Sequence, residues 1–207
     1  NITDYIPGRD VPHAQLRPPE GRHVLPPSPP TLAARLREVG YTTSSIGKWH
    51  LGTGAALPTR RGFDESVAPG QQHQKSMFPP YGVPGLNGAE GDTYLTDRLS
   101  RAAQRFIWKN ATDPFFLYLP HYAVHRPHEA KPDLLAKYRA RVPNGDEKRA
   151  VYAAMVEALD QSTRRVVDTL QAEGVWSNTV LFFTSDNGPT DVSPPRPLRG
   201  GKGTLYE

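Results

Sequence analysis

The sequence predicts an α/β fold, with a mostly parallel sheet flanked by helices on both faces. Three observations carry this. Helix-like and strand-like patterns alternate along the 207 residues in the order helix–strand–helix–strand–helix–strand. That order needs crossover connections, and hence parallel strands. The apolar runs Phe115–Leu119 and Val180–Phe183 lack polar alternation, as strands covered on both faces do. The residues best suited to chemistry stand directly after strand-like runs, where open α/β sheets place their sites.

Residues 1–29 read as irregular. Thr31 can cap a helix running to Val39, with Leu32, Leu36 and Val39 on one face and Gly40 as its stop. A strand over 41–46 follows, rich in strand formers. Residues 53–91 are dense in Gly and Pro without a clear period, which reads as a long loop of the kind that is usually functional. Asp92 or Thr93 opens a helix to about Lys109, with Leu95, Leu99, Ala102, Ala103 and Phe106 as its apolar face. Pro114–Leu119 is the second strand. After a polar loop, a long helix from about Asp146 to Ala172 carries Val151, Met155, Ala158, Leu159, Val166, Val167 and Leu170, and Gly174 ends it. Asn178–Thr184 is the third strand. No internal repeat and no domain boundary is visible, so 1–207 reads as a single domain.

Composition narrows the function classes. A chain of this length can bury a real core, although only 37% of it is hydrophobic. The 22 prolines concentrate in 7–30, 79–84 and 189–197. These stretches read as ordered loops, since an aromatic content of 9% is too high for a disordered chain. The net charge of +4 suits an anionic substrate. Arg35/Arg37, Arg98/Arg101/Arg105 and Arg164/Arg165 fall in helical patterns and read as solvated faces, and no aromatic-interleaved basic patch points to nucleic acid. With no cysteine, disulfide scaffolds, Cys-zinc sites and thiol catalysis are excluded for these residues. No apolar run approaches the roughly 20 residues of a membrane span, and no signal-peptide pattern is read within these residues. The sequons Asn1-Ile-Thr and Asn110-Ala-Thr lean towards an exported protein (periplasmic, secreted or lysosomal).

Four groups of residues are placed for chemistry. In Gly47-Lys-Trp-His-Leu-Gly52, Lys48 and His50 are two apart, so an extended backbone aims both at one face. The flanking glycines let backbone approach a small anion. A surface lysine beside a hydrogen-bonded histidine is the plainer alternative. Asp186-Asn187-Gly188 follows the third strand, where a carboxylate and an amide oxygen suit a hard cation such as Ca²⁺ or Mg²⁺, or else a tight turn. Two ligands are too few for a protein-made site, so others must come from elsewhere. His121-Tyr-Ala-Val-His125-Arg-Pro-His128 follows the second strand. Its three histidines invite a zinc reading, but Pro127 breaks the helix that the spacing would need and no His-Glu-x-x-His is present. One histidine acting as proton donor to a leaving group is the better reading. In Arg199-Gly-Gly-Lys-Gly-Thr204, Lys202 is bedded in glycines near a possible anion. A P-loop is excluded, because Gly203 follows the lysine where Ser or Thr belongs; a flexible loop is the alternative.

Taken in this order, these motifs resemble the type I sulfatases of the alkaline-phosphatase superfamily. The matching strings are Thr31-Leu-Ala-Ala-Arg-Leu36, Gly40-Tyr-Thr-Thr43, Ile46-Gly-Lys-Trp-His-Leu-Gly52, Arg61-Gly-Phe-Asp64, His121–His128, Thr184-Ser-Asp-Asn-Gly-Pro189 and Leu198–Glu207. The resemblance implies a sulfuric-ester hydrolase with the sulfatase/alkaline-phosphatase-like α/β fold. It implies Lys48 and His50 facing sulfate and nucleophile, His125 near the bridging oxygen, Asp186 and Asn187 on Ca²⁺ (or Mg²⁺), and Lys202 on sulfate oxygens. The implied substrate is a sulfate-ester small molecule or a sulfated glycan. The implied nucleophile is a formylglycine, installed by a formylglycine-generating enzyme in a Cys/Ser-x-Pro-x-Arg motif. That motif is absent from these residues, as are the family's paired metal-binding aspartates. The expectation is therefore an incomplete sulfatase domain. It lacks the N-terminal strand with the nucleophile and the C-terminal subdomain, and is inactive alone. Two alternatives are a phosphate- or phosphonate-ester hydrolase of the same superfamily and a nucleophile-less module that binds sulfated glycans.

Overall fold

A computed structural model describes residues 24–86, 93–189, 192 and 197–202. The irregular reading of 1–23, the sequon at Asn1, the helix start at Asp92 and the end motif from Gly203 onward lie outside the described residues.

Three parallel strands form a sheet in the order β2-β1-β3: β1 is Thr42–Ile46, β2 Glu65–Val67 and β3 Phe115–Tyr118. β1 is the central strand, aligning Ser44 with both Glu65 and Leu117. The period of two sorts the side chains of β3 onto two faces. Phe115 meets Phe106 edge-on, with ring centroids 5.8 Å apart. Phe116 and Tyr118 stack on Phe63 at 6.0 and 6.2 Å. Helix α2 (Leu95–Asn110) covers the first face, and α1 (Leu32–Glu38) with Trp49 and Phe63 covers the second.

Thr31 caps α1, its hydroxyl accepting from the Ala34 amide, as the sequence predicts. The buried face is not the predicted one. Ala33 is buried while Leu32 and Val39 are exposed, because Gly62 presses its backbone against Ala34 and leaves room only for small side chains. The Arg61–Asp64 string explains that approach. Arg61 donates to the Pro26 and Pro27 carbonyls, and Asp64 closes the start of β1 by accepting from the Thr43 amide and hydroxyl at 2.9 Å.

α2 buries the predicted Leu95, Leu99, Ala102, Ala103 and Phe106. The long helix α4 (Glu147–Ala172), capped by Asp146, packs along it. Its buried stripe recurs every fourth residue (Ala150, Ala154, Ala158, Ser162, Val166, Leu170), with Met155 beside it. Val151, Leu159 and Val167, expected in the stripe, lie half-buried on its flank. The small side chains of the stripe bring the helices close enough for Ser100 Oγ and Ser162 Oγ to hydrogen-bond at 2.6 Å.

Four expectations need correction. The loop over 53–91 contains β2, a strand too short to show periodicity. The polar loop before α4 contains a helix, α3 (Pro132–Arg139), which starts with Pro132 and Asp133 and ends with Lys137 and Arg139. These are ordinary helix-end signals in a segment too short for a readable apolar face. β3 is only half-buried, since among the described residues it pairs on one side alone. The expected third strand does not form. Val180, Phe182 and Phe183 are 79, 90 and 69% exposed, because β propensity without a partner strand gives no ladder. The sequon at Asn110 is also unsuited to carry a glycan: Asn110 is buried, its amide donating to the Phe106 carbonyl at 2.7 Å.

Candidate functional site

The site forms where the carboxyl ends of β1 and β3 meet. The Gly47 amide donates to the Val67 carbonyl at 2.9 Å and the Lys48 amide to the Pro120 carbonyl at 2.8 Å. These two bonds bind the end of β1 to the exits of both neighbours. A Cβ on Gly47 would lie 2.0 Å from the Pro120 oxygen, and its φ is +129°, so this position requires glycine. The next two amides, of Trp49 and His50, both donate to the Gly70 carbonyl. Trp49 turns inward, its indole donating to the Ala56 carbonyl at 2.7 Å and meeting Phe63 edge-on. Lys48 and His50 lie on either side of it, and the Lys48 charge helps lower the His50 pKa, after burial. The pairing is the one the sequence predicts, but the backbone is not extended throughout, because His50 has φ +55°. A non-glycine residue held in the left-handed region is a strain that surrounding contacts must maintain.

His125 arrives from the loop after β3. Its amide donates to the Tyr122 carbonyl, and its Nδ1 donates to the Arg126 carbonyl at 3.0 Å. That bond commits Nδ1 as donor and leaves Nε2 for a ligand. The other two histidines of the string go elsewhere. His121 Nε2 meets Ser162 Oγ at 3.2 Å, and its Nδ1 is buried without a hydrogen-bond partner. Burial holds His121 neutral, lowering its pKa to about 4. His128 packs edge-on against Tyr152. The three rings thus have three separate environments, and they do not converge on a zinc ion.

Electrostatics bring the remaining predicted residues together. Burial lowers the Lys48 pKa; Asp186 pulls it back up and Lys202 lowers it further. His50 is lowered by burial first, then by Lys48, His125 and Lys202. So Lys48, His50, His125, Lys202 and Asp186 act within one field, although they come from three distant stretches of sequence. Asp186 and Lys202 arrive through a backbone clasp. Gly188 lies against Gly201, and the Lys202 amide donates to the Pro189 carbonyl at 2.9 Å. Such a cluster of cationic groups can hold a tetrahedral anion and stabilise charge developing on it.

Asp186 and Asn187 carry the right atoms for a hard cation, but Ca²⁺ takes six to eight oxygens. Among the described residues, no group of three or more His, Asp or Glu side chains is placed to hold a metal. The pair can contribute ligands and does not compose a site.

One residue of the cluster escaped sequence reasoning. His73 stacks on His125 with ring centroids 4.1 Å apart and 17° between planes. Its pKa is lowered by burial and then by His125, Lys48, His50 and Lys202. It lies in the aperiodic Gln71-Gln-His-Gln74 run, which carries no local signal.

Comparison with known proteins gives the same picture from sequence and from fold. The family model described as Sulfatase matches residues 9–207. Arylsulfatase J of Mus musculus is 34% identical over 94% of this chain and 35% of its own length. N-acetylgalactosamine-6-sulfatase of Homo sapiens is 31% identical over 88% of this chain and 38% of its own. The crystal structure of Ps i-CgsB superposes with a TM-score of 0.76 at 32% identity, covering 90% of this chain and 47% of that one. The chain therefore spans little more than a third of the length of these curated relatives.

Proposed function

Because the chain belongs to the sulfatase family, matching its model over residues 9–207, we propose that the whole protein hydrolyses sulfate esters and that these residues supply the anion-holding wall of its active site. The observation that carries this is the shared field of Lys48, His50, His125 and Lys202 at the strand ends.

Each residue then has a task suited to its surroundings. The Lys48 and Lys202 ammonium groups bind sulfate oxygens and stabilise charge on the transferring group. His50, whose pKa is lowered by burial and then by its cationic neighbours, serves the attacking group as a hydrogen-bond partner. His125, with Nδ1 committed to Arg126, presents Nε2 to the bridging oxygen and protonates the departing alcohol. Asp186 and Asn187 contribute two oxygens to a divalent ion, Ca²⁺ or Mg²⁺, which would add Lewis-acid stabilisation when bound. The nucleophile is a formylglycine made by a formylglycine-generating enzyme; these residues contain no cysteine to supply it. The 207 residues form part of one α/β domain, completed by the nucleophile-bearing strand and a C-terminal subdomain.

A sulfated sugar is the favoured substrate class. N-acetylgalactosamine-6-sulfatase is among the relatives, and Ps i-CgsB has been crystallised with k-i-k-neocarrahexaose. We place the protein among exported proteins, on the sugar substrate and on the sequon at Asn1; among the described residues no helix is long and apolar enough to cross a membrane. Paired assays of the full-length protein on aryl sulfate and aryl phosphate esters test the reading. Preferential sulfate release is expected, and preferential phosphate release would move the protein to the phosphoryl branch of the superfamily.

A further inference from the structure

Two loops run side by side at the rim of the site, and their contacts follow a register. Segment 68–77 precedes α2, and segment 122–129 follows β3. The Tyr122 hydroxyl donates to the Ala68 carbonyl at 2.8 Å and accepts from the Gly70 amide at 2.9 Å. The His73 ring lies on the His125 ring. The Gln74 side-chain amide donates to the His125 carbonyl at 3.3 Å. Glu129 Oε2 accepts from the Ser76 hydroxyl and the Met77 amide, both at 2.7 Å. The contacts advance along both chains together, and His125 is gripped twice, by its backbone and by its ring. Gly70, inside the same register, also holds the Trp49 and His50 amides through its carbonyl.

We propose that His73 is the positioning residue for His125: its ring stacks on the His125 imidazole and fixes the plane in which Nε2 meets the leaving-group oxygen. The inference rests on the sulfate-ester reading above. Two features favour positioning over packing. His73 is an exposed residue, desolvated only where its ring is covered, so it contributes little to the core. Its one described ring partner is the histidine to which the proton transfer falls. Nδ1 of His125 is bonded to a carbonyl on its own loop, which leaves the ring free to tilt about that bond unless a second surface restrains it. His73 is that surface.

The test uses full-length enzyme with wild type, His73→Ala, His73→Phe, His125→Ala and the His73→Ala/His125→Ala double variant. Each is assayed on a sulfate ester with a good leaving group and on one with a poor leaving group. Loss of a general acid costs about 10²-fold or more, chiefly with the poor leaving group, and His125→Ala is expected to show this. His73→Ala is expected to lower kcat about tenfold on the poor leaving group and little on the good one, with KM nearly unchanged. His73→Phe, which keeps a stacking ring, is expected to recover most of that loss. The double variant is expected to be no worse than His125→Ala, since a residue that acts through another has nothing left to act on. Additive losses in the double variant, equal losses on both esters, or no effect of His73→Ala in an active enzyme would each overturn the proposal and leave the sulfatase reading standing. A wild-type enzyme that releases no sulfate would overturn both.

Discussion

Lys48 illustrates how a single side chain is set for anion work. Burial and the neighbouring Lys202 disfavour its charge, while Asp186 favours it. A bound sulfate would supply the negative charge that this arrangement lacks, so Lys48 should contribute more with the transferring group present than without it. Replacing Lys48 with Ala in the full-length protein should lower kcat/KM by at least about tenfold, a loss of ~1.4 kcal/mol of transition-state stabilisation. Steady-state kinetics on an aryl sulfate measure this, and an unchanged value would remove Lys48 from the sulfate clamp. The pair Lys48 and His50 was legible because glycines bracket it and because strand ends are where α/β sites lie. His73 was not, because its role comes from a ring contact across 52 residues of sequence, and no local pattern encodes a stack. Gly47 shows the same limit: its glycine was visible, but its reason, the Pro120 carbonyl, belongs to the loop that leaves β3.

At the level of elements, helices with a repeating apolar stripe or a clear cap, such as Thr31 before α1, were legible, and elements without either were not. α2 and α4 have several turns over which an apolar stripe repeats, whereas α3 and β2 are settled by their neighbours. The buried serine on α4 adds a consequence that no stripe reveals. Ser162 holds the loop after β3 through His121 and meets α2 through Ser100. His121 is kept neutral in the fold, with its pKa near 4 against 6.5 for a free imidazole. Between those values the unfolded chain binds the extra proton and the folded one does not. Stability from this group is therefore complete above pH 6.5 and drains away as the pH falls towards 4, by about 3 kcal/mol in all. Urea denaturation at pH 7 and pH 4.5 should show the loss in wild type and a smaller one in His121→Gln. An identical loss in both would assign the acid sensitivity to other groups.

For the whole molecule, the parallel sheet with helices on both faces was legible from the alternation of patterns. The fate of the run at 178–184 was not, because a strand exists only with a partner, and sequence periodicity does not say whether one is at hand. The site is likewise shared between what these residues hold and what they do not: they gather Lys48, His50, His73, His125 and Lys202 around one anion wall, and they contain no nucleophile motif. The 207-residue chain on its own should turn over no sulfate ester. Assays of the purified segment with an aryl sulfate check this, and clear multiple turnover would show that the anion wall suffices without the formylglycine.

The bare Val180-Leu-Phe-Phe183 run also bears on how the segment behaves in a test tube. No charged residue stands between Glu173 and Asp186, so nothing repels a second chain that lays a strand along it. Uncharged stretches rich in β-formers and free of proline are the seeds of intermolecular strand pairing. Colloidal behaviour and catalytic geometry thus meet in one place. The aspartate that ends the run, Asp186, is at once a gatekeeper against fibrous association and the carboxylate that reaches into the anion site.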